Sequence, residues 1–377
     1  MMDSSFDRED VTLLLKDITG LVTPLPTEER EKLIQSGVHY CEMLPLEYKP
    51  SEKYLKIYDR ALELYSKTTA DAVKNVAEKI IEKKGKNVVL VSLARAGTPI
   101  GILIKRYLDK KYQICVQHYS VSIIRERGID KNAMNYILKN HKAGDIMFVD
   151  GWIGKGAIFY ELKKELKEFE NISPEIAVIS DPANLTDMCG THEDILIASS
   201  CLNSTVSGLI SRTFLRDDII GKEDFHGAAY YSELKNEDRT YEFINRIENL
   251  FEFEMVGKSS ENRYSDKQYL EDSCEKGLSK YNAYEKKLPE YNGQQEVRDI
   301  CKAYGIDDVN LVKPGIGETT RVLLRRVPWK ILISEKYRNS NELLHIFQLA
   351  REKKVGIEYT ELVNYKCCGL IKKMADA

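Results

Sequence analysis

Apolar residues recur at helical spacing through 50–84, with Tyr54, Ile57, Leu62, Leu64, Ala72, Val73, Val76 and Ile80 on the repeat, and the run stops at Gly85. The spacing predicts one long helix. A shorter helix is predicted over 27–37, where acids open the run and Gly37 closes it. The period then changes. Residues 87–93 form a short continuous apolar run, as a buried parallel strand requires. Beyond it the pattern alternates. A glycine turn at 94–97 precedes a helix at 98–109, a strand at 112–119, a helix at 130–140, a strand at 145–150 and an amphipathic helix at 156–168. Further strands are predicted at 175–179 and 194–198. Strands alternating with helices imply a doubly wound, mostly parallel α/β sheet, here with a helical N-terminal extension. Ligands on such sheets bind beyond the carboxyl ends of the strands.

The texture changes after residue 252. Residues 257–297 are polar and poor in Val and Ile, which reads as a linker or a loosely packed helical connection. A second, small α/β unit follows, with a strand at 327–333, a helix at 340–354 and strands at 356–360 and 368–372. The division is therefore 1–252, a connection at 253–292, and 293–377.

Composition narrows the class. The chain has 377 residues, 43% hydrophobic and 31% charged, enough to bury a core and to exclude wholesale disorder. A net charge of -3 argues against general polyanion binding and leaves room for a local basic patch. The start of the chain shows no cationic segment followed by an apolar one, and no apolar run could span a bilayer, so a cytoplasmic protein with no membrane partner is expected. Eight scattered cysteines include no C-x-x-C pair, so neither a zinc site nor disulfides are expected.

Two loops carry the chemistry. In the first, an apolar strand ends at Asp150, and Gly151, Gly154, Lys155 and Gly156 lead into a helix at Ala157 and Ile158. Backbone N–H groups there would cradle a phosphate, aided by the helix N-terminus and the charge of Lys155, while Asp150 would face ribose hydroxyls. An ordinary β-α turn is the plain alternative. The second loop is Ala94, Arg95, Ala96 and Gly97, before Thr98 and Pro99, where the Arg95 guanidinium is suited to fork onto phosphate oxygens. Between them, Arg125, Arg127 and Asp130 lie in a cationic stretch able to close over a diphosphate. Asp181 follows another strand, and Asn203, Ser204, Thr205 and Arg212 lie in a run of small polar residues that would line a pocket or cap helices. Cys201 with His226 offers an alternative nucleophile and base, although their spacing is not specific. His39 and Glu42, in the segment 39–47, are candidates to reach the cleft.

In the C-terminal unit, Gly315, Gly317, Glu318, Thr319 and Thr320 read as a turn that starts a helix bearing Arg321, Arg325 and Arg326. With Lys313 and Lys330 these make five bases against one acid, Glu318, over 313–330. Such a stripe is an RNA-binding footprint.

The two N-terminal loops resemble the diphosphoribose- and pyrophosphate-binding loops of type I phosphoribosyltransferases, with Gly151 where that family has a second acid. The C-terminal stretch resembles the Pelota-type RNA-binding domain. Taken in order, H-Y-x-E-M-L-P, R-A-G-T-P, F-V-D-G-W-x-G-K-G, S-T-V-S-G-L-x-S-R-T and K-P-G-I-G-E-T-T-R resemble one bacterial family of tellurite-resistance and stress-response gene clusters, also labelled a cysteine protease of the StiP type. The resemblance implies a type I phosphoribosyltransferase-like sheet fused to a small Pelota-like domain. It implies a transferase binding phosphoribosyl diphosphate, or a nucleotide-like ligand, with Mg²⁺ and acting on a base or nucleoside-like acceptor. Structured RNA would bind the C-terminal domain. The alternatives are a non-catalytic RNA-binding or nucleotide-sensing protein, and a cysteine hydrolase using Cys201.

Overall fold

The computed structural model describes residues 2–253, 291–325 and 327–372. The polar connection therefore lies outside the described residues from 254 to 290, and so does Arg326.

The short N-terminal helix forms as α1 (Thr27–Gln35), with Glu28 and Glu29 in the first turn, where the helix dipole favours them. The long repeat forms α2 (Glu52–Lys84). It buries Tyr58, Leu62, Tyr65, Val73, Val76 and Ile80 along one face and ends at Gly85, whose φ of 71° suits a residue without a Cβ.

Seven strands make the main sheet: β1 (Thr12–Leu14), β3 (Val89–Ala94), β4 (Gln117–Ile124), β5 (Gly128–Ile129), β6 (Ile146–Trp152), β7 (Ile176–Ser180) and β8 (Cys189–Thr191). Their order is β1-β4-β3-β6-β7-β8, with every neighbour in that path parallel and β5 antiparallel against the end of β4. Two short strands, β2 (Lys16–Asp17) and β9 (Gly227–Ala228), pair separately. Helices α2, α3 (Gly97–Tyr112) and α6 (Thr240–Glu248) share an apolar cluster on one face. Helices α4 (Lys131–Asn140) and α5 (Ala157–Glu165) share the cluster on the other. This is the doubly wound arrangement that the alternating pattern predicts.

Two strands differ from expectation. The strand predicted at 112–119 runs at Gln117–Ile124, because α3 continues to Tyr112 and turns through a left-handed Gln113. The stretch predicted as a strand at 194–198 is not one. The last parallel strand is β8, which lies so close to α2 that a Cβ at Gly190 would sit 2.2 Å from the Ala72 carbonyl oxygen. Residues 194–198 instead lead into a 3₁₀ turn, Ala198–Cys201.

The C-terminal unit holds α7 (Gly293–Tyr304), β10 (Val312–Pro314), α8 (Gly315–Arg325), β11 (Lys330–Ser334), α9 (Leu344–Glu352), β12 (Gly356–Thr360) and β13 (Cys367–Leu370). Its sheet order is β10-β13-β11-β12. The turn expected at 315–320 is already helix, the first turns of α8. Ile316, Leu323 and Leu324 share an apolar cluster with Val73, Val76 and Ile100, so the core is continuous between the two units. Helix α2 braces both, since Lys53 pairs with Glu352 and Tyr65 Oη donates to the Glu342 carbonyl.

Candidate functional site

A cleft of about 210 Å³ opens beyond the carboxyl ends of β3 and β6. The end of β3, the turn after it and the start of α3 contribute Ala94, Arg95, Ala96 and Pro99, and β6 contributes Asp150 and Trp152. Ile158 comes from α5, while Ser199, Ser200, Leu202, Asn203, Val206 and Ser207 form the polar wall. Arg321 enters from α8 of the C-terminal unit. Residues of both N-terminal loops thus line one cleft, although Gly151, Gly154, Lys155, Gly156 and Ala157 are not on its lining, and the other unit adds a wall.

The close approach of the loops explains Gly97, where a Cβ would lie 2.5 Å from the Val149 carbonyl oxygen. The peptide joining Ala94 and Arg95 is cis. Arg95 is already engaged. It donates to the Ile210 carbonyl at 2.6 Å and to the Glu47 carboxylate at 2.9 Å. Burial alone would raise the Glu47 carboxyl, but Arg95, then Arg325 and Asn203, hold it below its ordinary value. Asp150 accepts from the N–H of Gly151 at 2.7 Å, yet burial pushes its carboxyl up to about 7. Ser200 is buried and lines the cleft, and its hydroxyl, beside the Cys201 thiol, has no other partner among the described residues.

Positive charge gathers around the opening. Arg212 lies over the Tyr40 ring at 5.1 Å and Arg125 over the same ring at 5.7 Å. Burial first, then Arg30 and Arg95, push Arg212 down to about 10. Arg325 retains exposed surface and donates to Asn203 Oδ1, while desolvation of its charge, then Arg321, push it down to about 9.

Other residues singled out by sequence have different work. Asp130 is buried as the N-cap of α4, where it accepts from the backbone of Ala133 and of His226. Arg125 donates to Asn310 at 3.0 Å and Arg127 pairs with Glu42 at 2.9 Å, so this stretch is a tied turn between β4 and β5 and no loose flap. Lys155 does not point at an anion. Its ammonium donates to the carbonyls of Val309 and Val312, and burial, then Lys313, push it down to about 8. Gly154 gives its carbonyl to Tyr365 Oη, and Gly156 takes the left-handed N-cap position of α5. Asp181 is fully buried and accepts from the N–H groups of Leu185 and Thr186, a turn-forming role outside the cleft. Ser204 and Thr205 are buried behind the wall.

Cys201 is 1% exposed, and burial pushes its thiol up to about 12. His226 meets Ser122 Oγ through Nδ1 at 2.8 Å. No contact joins Cys201 to His226 among the described residues, so the pairing considered from sequence does not form. A different thiol does meet an imidazole. Cys41 Sγ lies 2.9 Å from His39 Nδ1, in the segment whose Glu47 pairs with Arg95 of the cleft lining. Cys189 Sγ lies 3.5 Å from His192 Nε2, but on the edge strand and away from the cleft lining. The flagged segment 39–47 contained the signal, since it carries His, Cys and Glu within nine residues.

Several of the candidate RNA residues face inward, while Arg325 retains exposed surface and Arg326 lies outside the described residues. Thr319 and Thr320 are buried, donating to the Lys313 and Ile316 carbonyls. Arg321 pairs with Glu318 and lies 6.0 Å from the Trp152 ring. Gly315, Gly317 and Glu318 line a narrow recess against Trp152, Gly154 and Asp194.

Comparison with known proteins places these features. The family model described as tellurite-like stress resistance cysteine protease StiP matches residues 4–248. The PELOTA RNA binding domain model matches residues 291–373. A curated protein of Acinetobacter baylyi (strain ATCC 33305 / BD413 / ADP1), named cysteine protease StiP, is 32% identical over 383 residues, covering 98% of this chain and 94% of that protein. Among solved structures, a hypoxanthine-guanine phosphoribosyltransferase from Bacillus anthracis matches with a TM-score of 0.23 and 15% identity, over 31% of this chain and 68% of that one. A likeness at that level carries no argument.

Proposed function

The chain belongs to the StiP family of stress resistance proteins and carries a PELOTA RNA-binding domain, and from that premise we propose that it is a cysteine hydrolase with Cys41 as nucleophile and His39 as base, and that its C-terminal domain binds structured RNA. One observation carries the catalytic part, the 2.9 Å contact between Cys41 Sγ and His39 Nδ1. The name of the Acinetobacter relative supports the reaction class. The imidazole takes the thiol proton, and the thiolate attacks a peptide carbonyl carbon. The C–N bond breaks as the imidazolium protonates the leaving amine, and water then cleaves the thioester to restore the thiol. In the resting chain Cys41 is fully buried, which pushes its thiol up to about 11, with Arg127 opposing. The thiol is thus stored protonated, and segment 39–47 has to shift to admit a substrate.

The test is peptide hydrolysis and self-cleavage by single-cysteine variants. Cys41→Ser is expected to lose activity by roughly 10³-fold or more, and Cys201→Ser to keep it. The reverse outcome would move the nucleophile to Cys201.

A second reading is favoured by the cleft itself, where Arg95, Arg321, Asn203 and Ser200 line the same space as Asp150. These groups suit a phosphorylated ligand such as phosphoribosyl diphosphate. Mg²⁺ arriving with a diphosphate would find Asp150 as the carboxylate on the lining, the phosphates supplying its other oxygens. Calorimetric titration with phosphoribosyl diphosphate and Mg²⁺ checks this reading, and a flat isotherm removes it.

A further inference from the structure

The residues matched to an RNA-binding role are committed to contacts with the rest of the chain. The N–H of Ile316, at the start of α8, donates to both carboxylate oxygens of Asp194, at 2.9 and 3.2 Å. The N–H of Lys366 donates to the same carboxylate at 2.9 Å. Tyr365 Oη donates to the Gly154 carbonyl at 2.6 Å, and Lys155 Nζ to the Val309 carbonyl at 2.7 Å. Further along α8, Arg321 lies over Trp152 and Arg325 bonds Asn203. Arg321 therefore lines the protein cleft, and Arg325, although it retains exposed surface, is bonded to a residue of the cleft wall. An RNA phosphate that takes either guanidinium has to compete with Trp152 or Asn203 for it.

We propose that the face of α8 bearing Arg321 and Arg325 serves two partners in turn, the chain's own cleft and a structured RNA, so that RNA binding loosens the contacts that hold this face on the cleft. The proposal rests on the RNA-binding reading above and adds its regulation. Docking costs RNA affinity in proportion to how rarely the undocked state is populated. By linkage, RNA must weaken docking by the same factor, exposing the Arg95 loop and the polar wall. Asp194 is the lever, because one buried carboxylate holds two backbone donors of the other domain.

The experiment uses the full chain and an RNA hairpin with an internal bulge, read by fluorescence anisotropy. Asp194→Ala and Asn203→Ala are expected to bind the hairpin at least about 5-fold more tightly than the unaltered chain, the lower end of ordinary coupling. Equal or weaker binding by both overturns the proposal and leaves the RNA reading standing. No binding by any of the three at low salt removes the RNA reading and the proposal together. Because Asp194→Ala could perturb folding, hydrogen exchange in the unaltered chain supplies a second readout. Adding the hairpin should speed exchange at the amides of Ile316 and Lys366, and unchanged or slower exchange at both overturns the proposal.

Discussion

Two helices of this molecule begin in the same way and end up with opposite fates. In each, a strand runs into glycines and then a helix: Gly151, Gly154 and Gly156 before α5, and Gly315 and Gly317 at the start of α8. From sequence the first reads as an anion cradle and the second as the turn before a basic, RNA-binding stripe. At α8 the N-terminal donor is already satisfied by the Asp194 carboxylate of the other unit. At α5 no side chain caps the helix, and Ile158 of its first turn lies on the cleft wall. A helix N-terminus attracts negative charge wherever it comes from, and here the protein supplies it once and leaves the other start open. The lesson is that a motif defines a demand for charge, whereas the surrounding fold decides whether that demand is met from within.

The sharpest way to break this contrast is at the paired charges of the open side. Glu47→Ala leaves Arg95 largely buried without its carboxylate and is expected to destabilise the fold by about 3 kcal/mol, measured by chemical denaturation. A loss below about 0.5 kcal/mol would mean that the cleft does not depend on its internal ion pair. On the filled side, Asp194→Ala strands two buried N–H groups and should cost about 2 kcal/mol. Exchange of the Ile316 and Lys366 amides in the variant reports whether that loss falls on the docked helix.

Asp150 gives a pH test. Burial raises its carboxyl from the ordinary value of 3.8 to about 7, so the folded chain holds the proton more tightly than the unfolded one. Its cost is absent below pH 3.8, grows as pH rises, and is complete above about 7. Asp150→Asn removes it, and should stabilise the protein by up to about 4 kcal/mol at pH 8 and not at all near pH 3.5. A thermal-melt difference independent of pH would contradict that account. The smallest effect is expected at Lys155→Met, about 1 kcal/mol for two lost carbonyl contacts, partly returned by burying a less costly side chain. Stabilisation instead of loss would show that Lys155 is held for a visiting anion.

Much of this was legible from the chain. The alternation between buried strands and amphipathic helices is a local signal, and it predicts the doubly wound sheet with Arg95 and Asp150 both on the cleft at its carboxyl edge. Strand ends were less legible where a helix simply ran on, as at Tyr112. What could not be read was partnership across long separations. Nothing near Glu47 announces Arg95, and nothing near Asp194 announces Ile316. The basic stripe of α8 looked outward because charge alone carries no direction. The same absence of direction made Cys201, beside a polar run, look more reactive than Cys41, which only the folded chain sets against His39.

The contact between Asp194 and Ile316 spans 122 positions. During synthesis at ~5–20 residues per second, the main sheet would therefore emerge about 6–25 s before the helix that fills its recess is available. For that interval a growing chain carries the Arg95 loop, the polar wall and the Asp194 carboxylate uncovered on the ribosome. The nascent protein passes through the open arrangement before it ever reaches the closed one.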